Sequence, residues 1–253
     1  MNVPILMYHQ VTATPSPGFA RYSVAPAQFA WHMRWLWLRG FTTLSLDDLM
    51  RCRAGQRAWP RRPVVITIDD GYDAAVRAAL DVLPRFGFTA TVFLVAGAIG
   101  QVSNWDAGVA LPVAGWSAVR EMAAAGFTCG SHTVTHPRLA DLSPDACAHE
   151  LRDARRRLED GLGAPVRHLA YPFGSVNETV RRLAEDAGYR TACAVTRGLS
   201  TDADDPLLLQ RVHILGHDSF MDFVCRLRTA RPLGEMVAAR LRRMAGRGVV
   251  PAS

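Results

Sequence analysis

The stretch Val64–Gly71, with the sequence VVITIDDG, decides the fold that we predict for this chain. Its apolar, largely β-branched residues end abruptly in two carboxylates and a glycine. This pattern is typical of a buried parallel strand that emerges at the edge of a sheet. Gly71 permits the tight departure that such an exit needs. The side chains of Asp69 and Asp70 would point in different directions and could divide their work. The same residues also occur in ordinary turns and helix N-terminal caps.

Similar apolar runs alternate with helical patterns along almost the whole chain. The predicted strands cover residues 3–9, 41–46, 64–68, 88–95, 127–130, 166–171, 190–195 and 208–215. The predicted helices cover residues 29–39, 73–85, 117–125, 143–162, 176–187 and 220–227. Repeated strand-then-helix units predict a parallel sheet with helices outside it. About seven units without a break in composition favour a single α/β domain, a distorted (β/α)7-type barrel over residues 1–230. Residues 231–253 are predicted to form a basic C-terminal extension.

The composition is that of a soluble globular protein that can bury a full core. The chain has 253 residues, of which 49% are hydrophobic and 21% charged. Its formal charge is +6, and every one of its 29 basic residues is arginine. A GC-rich genome is the simplest cause of that bias, although the charge could also recruit phosphorylated sugars or an acidic membrane surface. No nucleic-acid-binding motif accompanies it, so we expect no nucleic-acid partner.

The cysteines and the first residues bear on the compartment. The five cysteines are scattered, and no two form a Cys-x-x-Cys pair, which predicts reduced thiols. The N-terminal sequence lacks the basic and apolar regions of a signal peptide. No apolar run reaches the roughly eighteen residues of a transmembrane helix. We therefore expect a cytoplasmic protein without a transmembrane segment, and peripheral membrane contact is left open.

A second stretch with chemical potential, SHTVTHP at residues 131–137, follows another apolar run. His132 and His136 are four residues apart and would converge on one side of a helical turn, an arrangement that recurs in zinc sites. Pro137 would prevent the turn from continuing as a regular helix. Such histidines are also found as partly buried polar residues without a metal. If one carboxylate joins them, the three ligands leave coordination positions open, as in catalytic metal sites.

Together, TIDDG at residues 67–71 and SHTVTHP at residues 131–137 resemble two motifs of the polysaccharide deacetylases. These are the NodB-homology, or carbohydrate esterase family four, enzymes, and the resemblance extends over residues 3–227. It implies the NodB-homology barrel fold and a metal-dependent hydrolase. The implied reaction removes N-acetyl groups from an N-acetylated saccharide in glycan or exopolysaccharide biosynthesis and releases acetate.

The resemblance also assigns roles to the four polar residues of these motifs. Asp70, His132 and His136 would bind a divalent metal ion, usually zinc, although related enzymes accept other divalent ions. Asp69 would be the general base that removes a proton from the attacking water. A metal ion makes water more acidic, so a modest base suffices.

The stretch AYPFG at residues 170–174 resembles a third motif, which in many family members reads RPPYG. By this resemblance the backbone N–H of Phe173 would bind the oxyanion of the transition state. The motif's arginine, which orients the base, is replaced by Ala170. Arg211 is our candidate for the missing cation, and we also group it with Tyr171 among residues expected to face the substrate. Tyr171 is equally well interpreted as a core aromatic residue.

Two histidines compete for the role of general acid toward the leaving amine. His213 lies near the position of the family's final motif, whose histidine has this role, but it could be an ordinary strand residue. His9 follows a tyrosine at the first strand, a feature that resembles the poly-N-acetylglucosamine deacetylase subgroup. Trp105 and Asp106 also resemble that subgroup. Trp105 would stack on a sugar ring or simply anchor its loop, and Asp106 would bind hydroxyls or approach the metal.

Two other functions remain open at this point. The first is hydrolysis of a non-sugar amide or imide C–N bond on the same fold and metal. The second is a catalytically silent carbohydrate-binding module. Retention of Asp69, Asp70, His132 and His136 argues against the module, because a decayed site should lose a ligand first.

Overall fold

The computed structural model describes residues 1–106 and 108–238. In chain order the elements are β1 (Ile5–Tyr8), β2 (Gln10–Val11), β3 (Ser23–Val24), α1 (Pro26–Leu38), β4 (Thr42–Thr43), α2 (Leu46–Arg53), β5 (Pro63–Ile68), α3 (Asp73–Val82), β6 (Thr91–Leu94), α4 (Trp116–Ala124), β7 (Thr128–Ser131), α5 (Pro144–Leu162), β8 (His168–Ala170), α6 (Glu178–Asp186), β9 (Thr191–Arg197), β10 (Leu209–His213) and α7 (Phe220–Thr229).

Seven parallel strands close a barrel in the order β1, β10, β9, β8, β7, β6 and β5, and β5 pairs with β1 again. The closing pair runs from Ile5 opposite Val65 to Tyr8 opposite Ile68. Strand β4 adds to the start of β5, while β2 and β3 form a small separate pair. The predicted (β/α)7-type barrel is therefore confirmed.

Strand β5 explains why its sequence is so uniformly apolar. All six of its residues are buried, because one face lines the barrel interior and the other packs against helices. Thr67 is the polar exception, and its hydroxyl donates to the backbone oxygen of Leu6 at 2.8 Å. A buried strand of this kind delivers Asp69 and Asp70 to its carboxyl end, where barrel enzymes build their sites.

Helix α2 covers the opposite end of the barrel. Its residues Leu46, Leu49 and Cys52 join a cluster with interior side chains from six barrel strands. Those interior side chains are Ile5, Val65, Phe93, Ala170, Cys193 and Leu209. The strand ends at the base of the barrel are therefore filled by apolar packing, and the polar groups lie at the other end.

Two predicted elements differ from the structure. Residues 41–46, predicted as a strand, contain only the two-residue β4 before α2 begins. The Ser45 side chain caps that helix by accepting from Asp48 N at 3.0 Å, a local bond that favours the helix. The helix predicted over 73–85 ends as α3 at Val82 and continues as a 3₁₀ turn over 83–86, where Pro84 lacks a backbone N–H.

The C-terminal prediction is only partly covered by the structure. Most of the basic extension predicted over residues 231–253 lies outside the described residues, so the boundary at residue 230 stays a prediction. Among the helices of the described residues, none combines the length and apolar character needed to cross a bilayer.

Candidate active site

A buried ion pair lies at the floor of the site. It joins Asp69, which directly follows β5, to Arg211 of β10. Both guanidinium NH groups of Arg211 donate to Asp69, at 2.7 Å to Oδ1 and 2.8 Å to Oδ2. Arg211 also donates to the Ala194 carbonyl at 2.9 Å and to Thr67 Oγ1 at 3.2 Å, and it has no exposed surface. Burial alone would raise the pKa of Asp69, but the charges of Arg211 and His132 hold that pKa below its ordinary value. Asp69 is therefore ionised at neutral pH.

Beside this pair, three donor atoms converge. Asp70 Oδ1 lies 3.4 Å from His132 Nε2 and 3.3 Å from His136 Nε2, and the two nitrogens are 3.2 Å apart. Two ligands bonded at ~2.0–2.1 Å to one tetrahedral zinc ion lie about 3.3–3.4 Å from each other. All three side chains are buried, and they form the group in the described residues that could hold a metal. The donor set and its spacing fit a divalent ion.

The backbone around these ligands is held in an unusual conformation. Asp70, Thr133, His136 and Phe173 all have positive φ angles, between 55° and 70°. They are four of the five non-glycine residues with positive φ in residues 1–106 and 108–238. Such conformations cost about 1–3 kcal/mol each and tend to cluster at functional sites. The helical turn predicted over 131–137 is wrong, because these left-handed residues form an irregular loop that makes the two imidazoles converge.

Two further contacts fix the histidines. The Nδ1–H of His132 donates to the Ala170 carbonyl at 2.7 Å, which leaves Nε2 free to bind a metal. Glu150 of α5 accepts from the backbone N–H groups of Val134 and Thr135, at 2.8 and 3.0 Å, and from the Thr135 hydroxyl at 2.7 Å. Sequence reasoning missed Glu150, because nothing in the pattern of a charged helix distinguishes the one carboxylate that faces a loop.

A cavity of about 290 Å³ opens over these groups at the carboxyl ends of the strands. It is lined by nine of the eleven predicted site residues, all except Trp105 and Arg211. The aromatic rings of Phe19 and Tyr22 and the guanidinium of Arg138 also line it, and sequence reasoning missed all three. Phe19 and Tyr22 lie in a short 3₁₀ helix over 17–22 and Arg138 lies in a loop, so none of them gave a periodic signal.

Trp105 and Arg211 lie behind the cavity wall. The Trp105 ring packs 5.0 Å from the His136 ring and 6.0 Å from the Tyr72 ring, centroid to centroid. It therefore supports the His136 side chain. The expectation that Arg211 faces the substrate is corrected, because its guanidinium is enclosed on Asp69.

Asp106 lines the cavity but is not one of the three converging donors. Burial and the charge of Asp70 raise its pKa.

The two candidate acids differ in their surroundings. His213 Nε2 lies 2.7 Å from the Val195 carbonyl, so this nitrogen carries the ring proton and donates it to that oxygen. Burial lowers the pKa of His213 to about 4. His9 packs on Tyr22, with ring centroids 5.0 Å apart, and its Nδ1 has no hydrogen-bond partner among the described residues.

The predicted third motif forms a tight turn at the cavity rim. Phe173 is 38% exposed; its ring lies 4.6 Å from the His136 ring and 4.6 Å beneath the Arg138 guanidinium. Gly174 has φ 65°, and a Cβ there would lie 2.0 Å from Val195 Cγ2, so only glycine fits. Tyr171 is fully buried; burial raises its pKa, and its hydroxyl has no partner among the described residues.

The chain is similar in sequence or fold to known proteins over most of its length. Similarity extends to YxkH of Bacillus subtilis (strain 168), a candidate polysaccharide deacetylase, with 27% identity over 213 residues, 84% of this chain and 71% of that protein. The poly-beta-1,6-N-acetyl-D-glucosamine N-deacetylase of Staphylococcus aureus (strain MSSA476) is 21% identical over 220 residues, 83% of this chain and 74% of that protein. Among solved structures, the Streptococcus pyogenes deacetylase PplD in complex with acetate has a TM-score of 0.78 and 25% identity, covering 92% of this chain and 99% of that chain.

The family model described as polysaccharide deacetylase matches residues 56–192. This range is more than half of the 253 residues and includes the Asp pair, both histidines and the Phe173 turn. With the barrel and its converging side chains, the match establishes that this chain is a hydrolase and belongs to the polysaccharide deacetylase family.

Proposed function

We propose that the protein is a metal-dependent N-deacetylase that removes acetyl groups from an N-acetylated saccharide and releases acetate. One observation carries this proposal: an ionised, immobilised carboxylate, Asp69, opens into the same cavity as three converging metal donors. A similar protein from Staphylococcus aureus is named for poly-beta-1,6-N-acetyl-D-glucosamine. That name supports a polymer of N-acetylated sugars as the substrate class.

The proposed metal ion is Zn²⁺, held by Asp70, His132 and His136. Two imidazole nitrogens and one carboxylate oxygen at near-tetrahedral spacing are typical of catalytic zinc sites. When bound, the ion would supply Lewis-acid polarisation of the acetamide carbonyl and would make water more acidic.

Asp69 is the proposed general base. Its carboxylate faces the cavity at one edge, while the two hydrogen bonds from Arg211 prevent it from rotating. Because the guanidinium favours the ionised form, the base is ready to accept a proton at neutral pH. Arg211 therefore has the orienting role that the usual motif arginine has in the family, although it reaches Asp69 from another strand.

His9 is the proposed proton donor to the leaving amine, in preference to His213. The Nε2–H of His213 is already donated to Val195, and burial keeps its other nitrogen unprotonated at neutral pH. His9 lines the same cavity as Asp69 and Asp70, and its Nδ1 has no hydrogen-bond partner among the described residues. The backbone N–H of Phe173 remains the proposed oxyanion donor.

The cavity suggests how much of the substrate it encloses. A volume of about 290 Å³ is at the lower end of the ~300–1,000 Å³ typical of ligand pockets. We therefore propose that it takes the acetamido sugar that is cleaved, while the rest of the saccharide lies outside, near Arg138 and Phe173. The proposed compartment is the cytoplasm, which five cysteines without a disulfide support.

The test measures acetate release from N-acetylglucosamine oligosaccharides and metal content on the same protein samples. Wild-type protein loaded with Zn²⁺ should release acetate, and chelation should stop it. Asp69→Asn should lower the rate by about 10²–10⁴-fold with the metal retained, because only the base is lost. His136→Ala should lower metal affinity and activity together. Metal-loaded protein that binds the saccharide but releases no acetate would instead be a binding module. Faster cleavage of a cyclic imide than of any acetylated sugar would favour the alternative amidase function.

A further inference from the structure

Helix α1 has a second apolar face that is only partly covered by the rest of the protein. One face, which includes Phe29 and Met33, is fully buried. Trp31, Trp35 and Leu38 lie at i, i+4 and i+7 and form another face on the outside of the helix. Trp31 is 44% exposed and Leu38 is 61% exposed. Large side chains at helical spacing on a surface need a partner to remove them from water.

Helix α7 extends this apolar surface. The Phe220 ring lies 4.2 Å from the Trp31 ring and 6.0 Å from the Trp35 ring. Phe220 is 39% exposed and Met221 is 49% exposed. We call the surface formed by Trp31, Trp35, Leu38, Phe220 and Met221 the α1–α7 face. It is a continuous patch contributed by two helices.

A basic groove of about 310 Å³ adjoins the α1–α7 face and shares Trp35 with it. Arg39, Arg61, Arg62 and Arg228 line this groove, and the Arg39 guanidinium lies 5.8 Å from the Trp35 ring centroid. No aspartate or glutamate lines the groove. None of the four arginines forms an ion pair with a carboxylate within the described residues. The groove therefore carries four positive charges without compensation.

We propose that the α1–α7 face and the basic groove dock on an anionic lipid bilayer. Exposed tryptophan and leucine side chains beside arginines are typical of surfaces that lie at the headgroup level, where the apolar parts enter the lipid and the guanidinium groups meet phosphates. A second copy of the chain is a poorer occupant. An isologous dimer through this face would bring two groups of four arginines together.

The basic groove lies at the end of the barrel opposite the catalytic cavity. The groove is lined by Pro4 and Pro63 at the starts of β1 and β5, whereas Asp69 follows the end of β5. Asp69 lies six positions after Pro63 along this strand, a rise of about 20 Å. No residue lines both the groove and the catalytic cavity. If the proposed deacetylase function holds, the enzyme would act on saccharide that extends away from the membrane.

The test is co-sedimentation of the full chain with vesicles of phosphatidylcholine, with and without phosphatidylglycerol, at low and high salt. Binding should require phosphatidylglycerol and weaken at high salt. The double variant Arg61→Gln/Arg228→Gln should bind on the order of thirty-fold more weakly, since each arginine near an anionic surface contributes about tenfold or less. Leu38→Ser should weaken binding several-fold at unchanged charge. The control is Arg152→Gln/Arg182→Gln, which removes two exposed arginines from α5 and α6 and should bind like wild type.

Equal binding to phosphatidylcholine alone, or equal weakening in both double variants, would overturn the proposal. Inorganic phosphate at the same concentration as the lipid phosphate should not displace the protein from vesicles. If it does, the groove is a site for a free anion and the proposal is overturned. A vesicle-free dimer that Leu38→Ser dissociates, measured by light scattering, would identify a second copy as the occupant. Vesicle binding needs neither metal nor saccharide, so these outcomes are independent of the deacetylase assay.

Discussion

At the scale of single residues, Arg211 and Asp69 form an ion pair that is almost fully buried. Either charge without the other would destabilise the fold. Removing one member of a buried ion pair typically costs ~3–5 kcal/mol, because the other charge is left uncompensated. The same contact holds the Asp69 carboxylate, the proposed general base, in one orientation and in its ionised form. If Asp69 is the base, one ion pair links stability to catalysis at this site.

Arg211→Met should therefore lower both activity and stability. We expect acetate release to fall by at least about 10²-fold, because the base becomes free to rotate. The free energy of unfolding should fall by ~3–5 kcal/mol. In an Asp69→Asn background, the same change should cost little further activity, since no base remains to be oriented. Urea unfolding and acetate release are measured for wild type, the two single variants and the double variant, which together form a double-mutant cycle. Additive losses of activity would show that Arg211 acts apart from Asp69.

The two histidines at the cavity should respond differently to the same substitution. His9→Gln is expected to lower kcat by ~10²–10⁴-fold, since a glutamine cannot transfer a proton. His213→Gln should lower kcat by less than about tenfold, because an amide N–H can still donate to the Val195 carbonyl. Metal content should be unchanged in both. The reverse order of effects would restore His213 as the acid.

At the scale of elements, the two proposed histidine ligands depend on a loop that is held from outside the barrel. Residues 132–137 form no helix or strand, and two of them have left-handed backbones. Glu150 of α5 accepts three hydrogen bonds from this loop. Asp70, His132 and His136 could be proposed as a group from the sequence because their two motifs are local, and the structure brings their donor atoms together. The irregular loop and Glu150 could not be predicted, because both depend on contacts between residues 132–137 and α5, the helix that follows.

Glu150→Ala should loosen the loop without touching a ligand. We expect zinc affinity to fall by ~10–100-fold, the usual effect of losing a contact that orients metal ligands. Glu150→Gln should recover part of the affinity, because one amide oxygen can still accept from Val134 and Thr135. Competition with a chromogenic chelator measures this. Asp160→Ala removes an exposed carboxylate from the same helix and serves as the control. Equal affinities in the alanine variants would exclude a role for Glu150.

At the scale of the whole molecule, strand-helix alternation was enough to predict the closed barrel. The apolar run of residues 64–68 marks a fully buried strand, and the regular alternation with helical patterns indicates the others. Helix α2 escaped prediction because its apolar residues, Leu46, Leu49 and Cys52, are few and interrupted by charges. Arg211 could be proposed from its strand, but its enclosure on Asp69 depends on the register across the barrel. Long-range register of this kind is absent from a local pattern.

The core around α1 predicts how stability changes with pH. His32 is buried, its Nδ1 accepts from the Tyr8 hydroxyl at 3.1 Å, and its ring stacks 3.9 Å from Phe223. Burial lowers the pKa of His32 to about 4, below the ~6.5 of an unfolded chain. Between these values only the unfolded state takes up the proton, so the free energy of unfolding falls as pH decreases, by at most ~1.4 kcal/mol per pH unit.

His32→Gln should flatten that dependence, because glutamine stays neutral and can still accept from Tyr8. Urea unfolding of wild type and variant between pH 7 and pH 4 measures the difference in slope. This range spans the window between the pKa of His32 in the folded protein, about 4, and the ~6.5 of an unfolded chain. His149→Gln, at an exposed position on α5, controls for the substitution itself. Identical slopes in wild type and His32→Gln would mean that His32 is charged in the folded protein.

The apolar packing of α2 against the base of the barrel has a kinetic consequence. Within the described part of the chain, the interior below Asp69 is filled, so the cavity communicates with solvent at its upper end alone. If the proposed deacetylase function holds, the saccharide would enter there and both products would leave there. Acetate would form next to the buried donor atoms at the deep end, beneath the sugar. The deacetylated sugar would then have to leave before acetate, and we expect accumulated acetate to compete with the next saccharide.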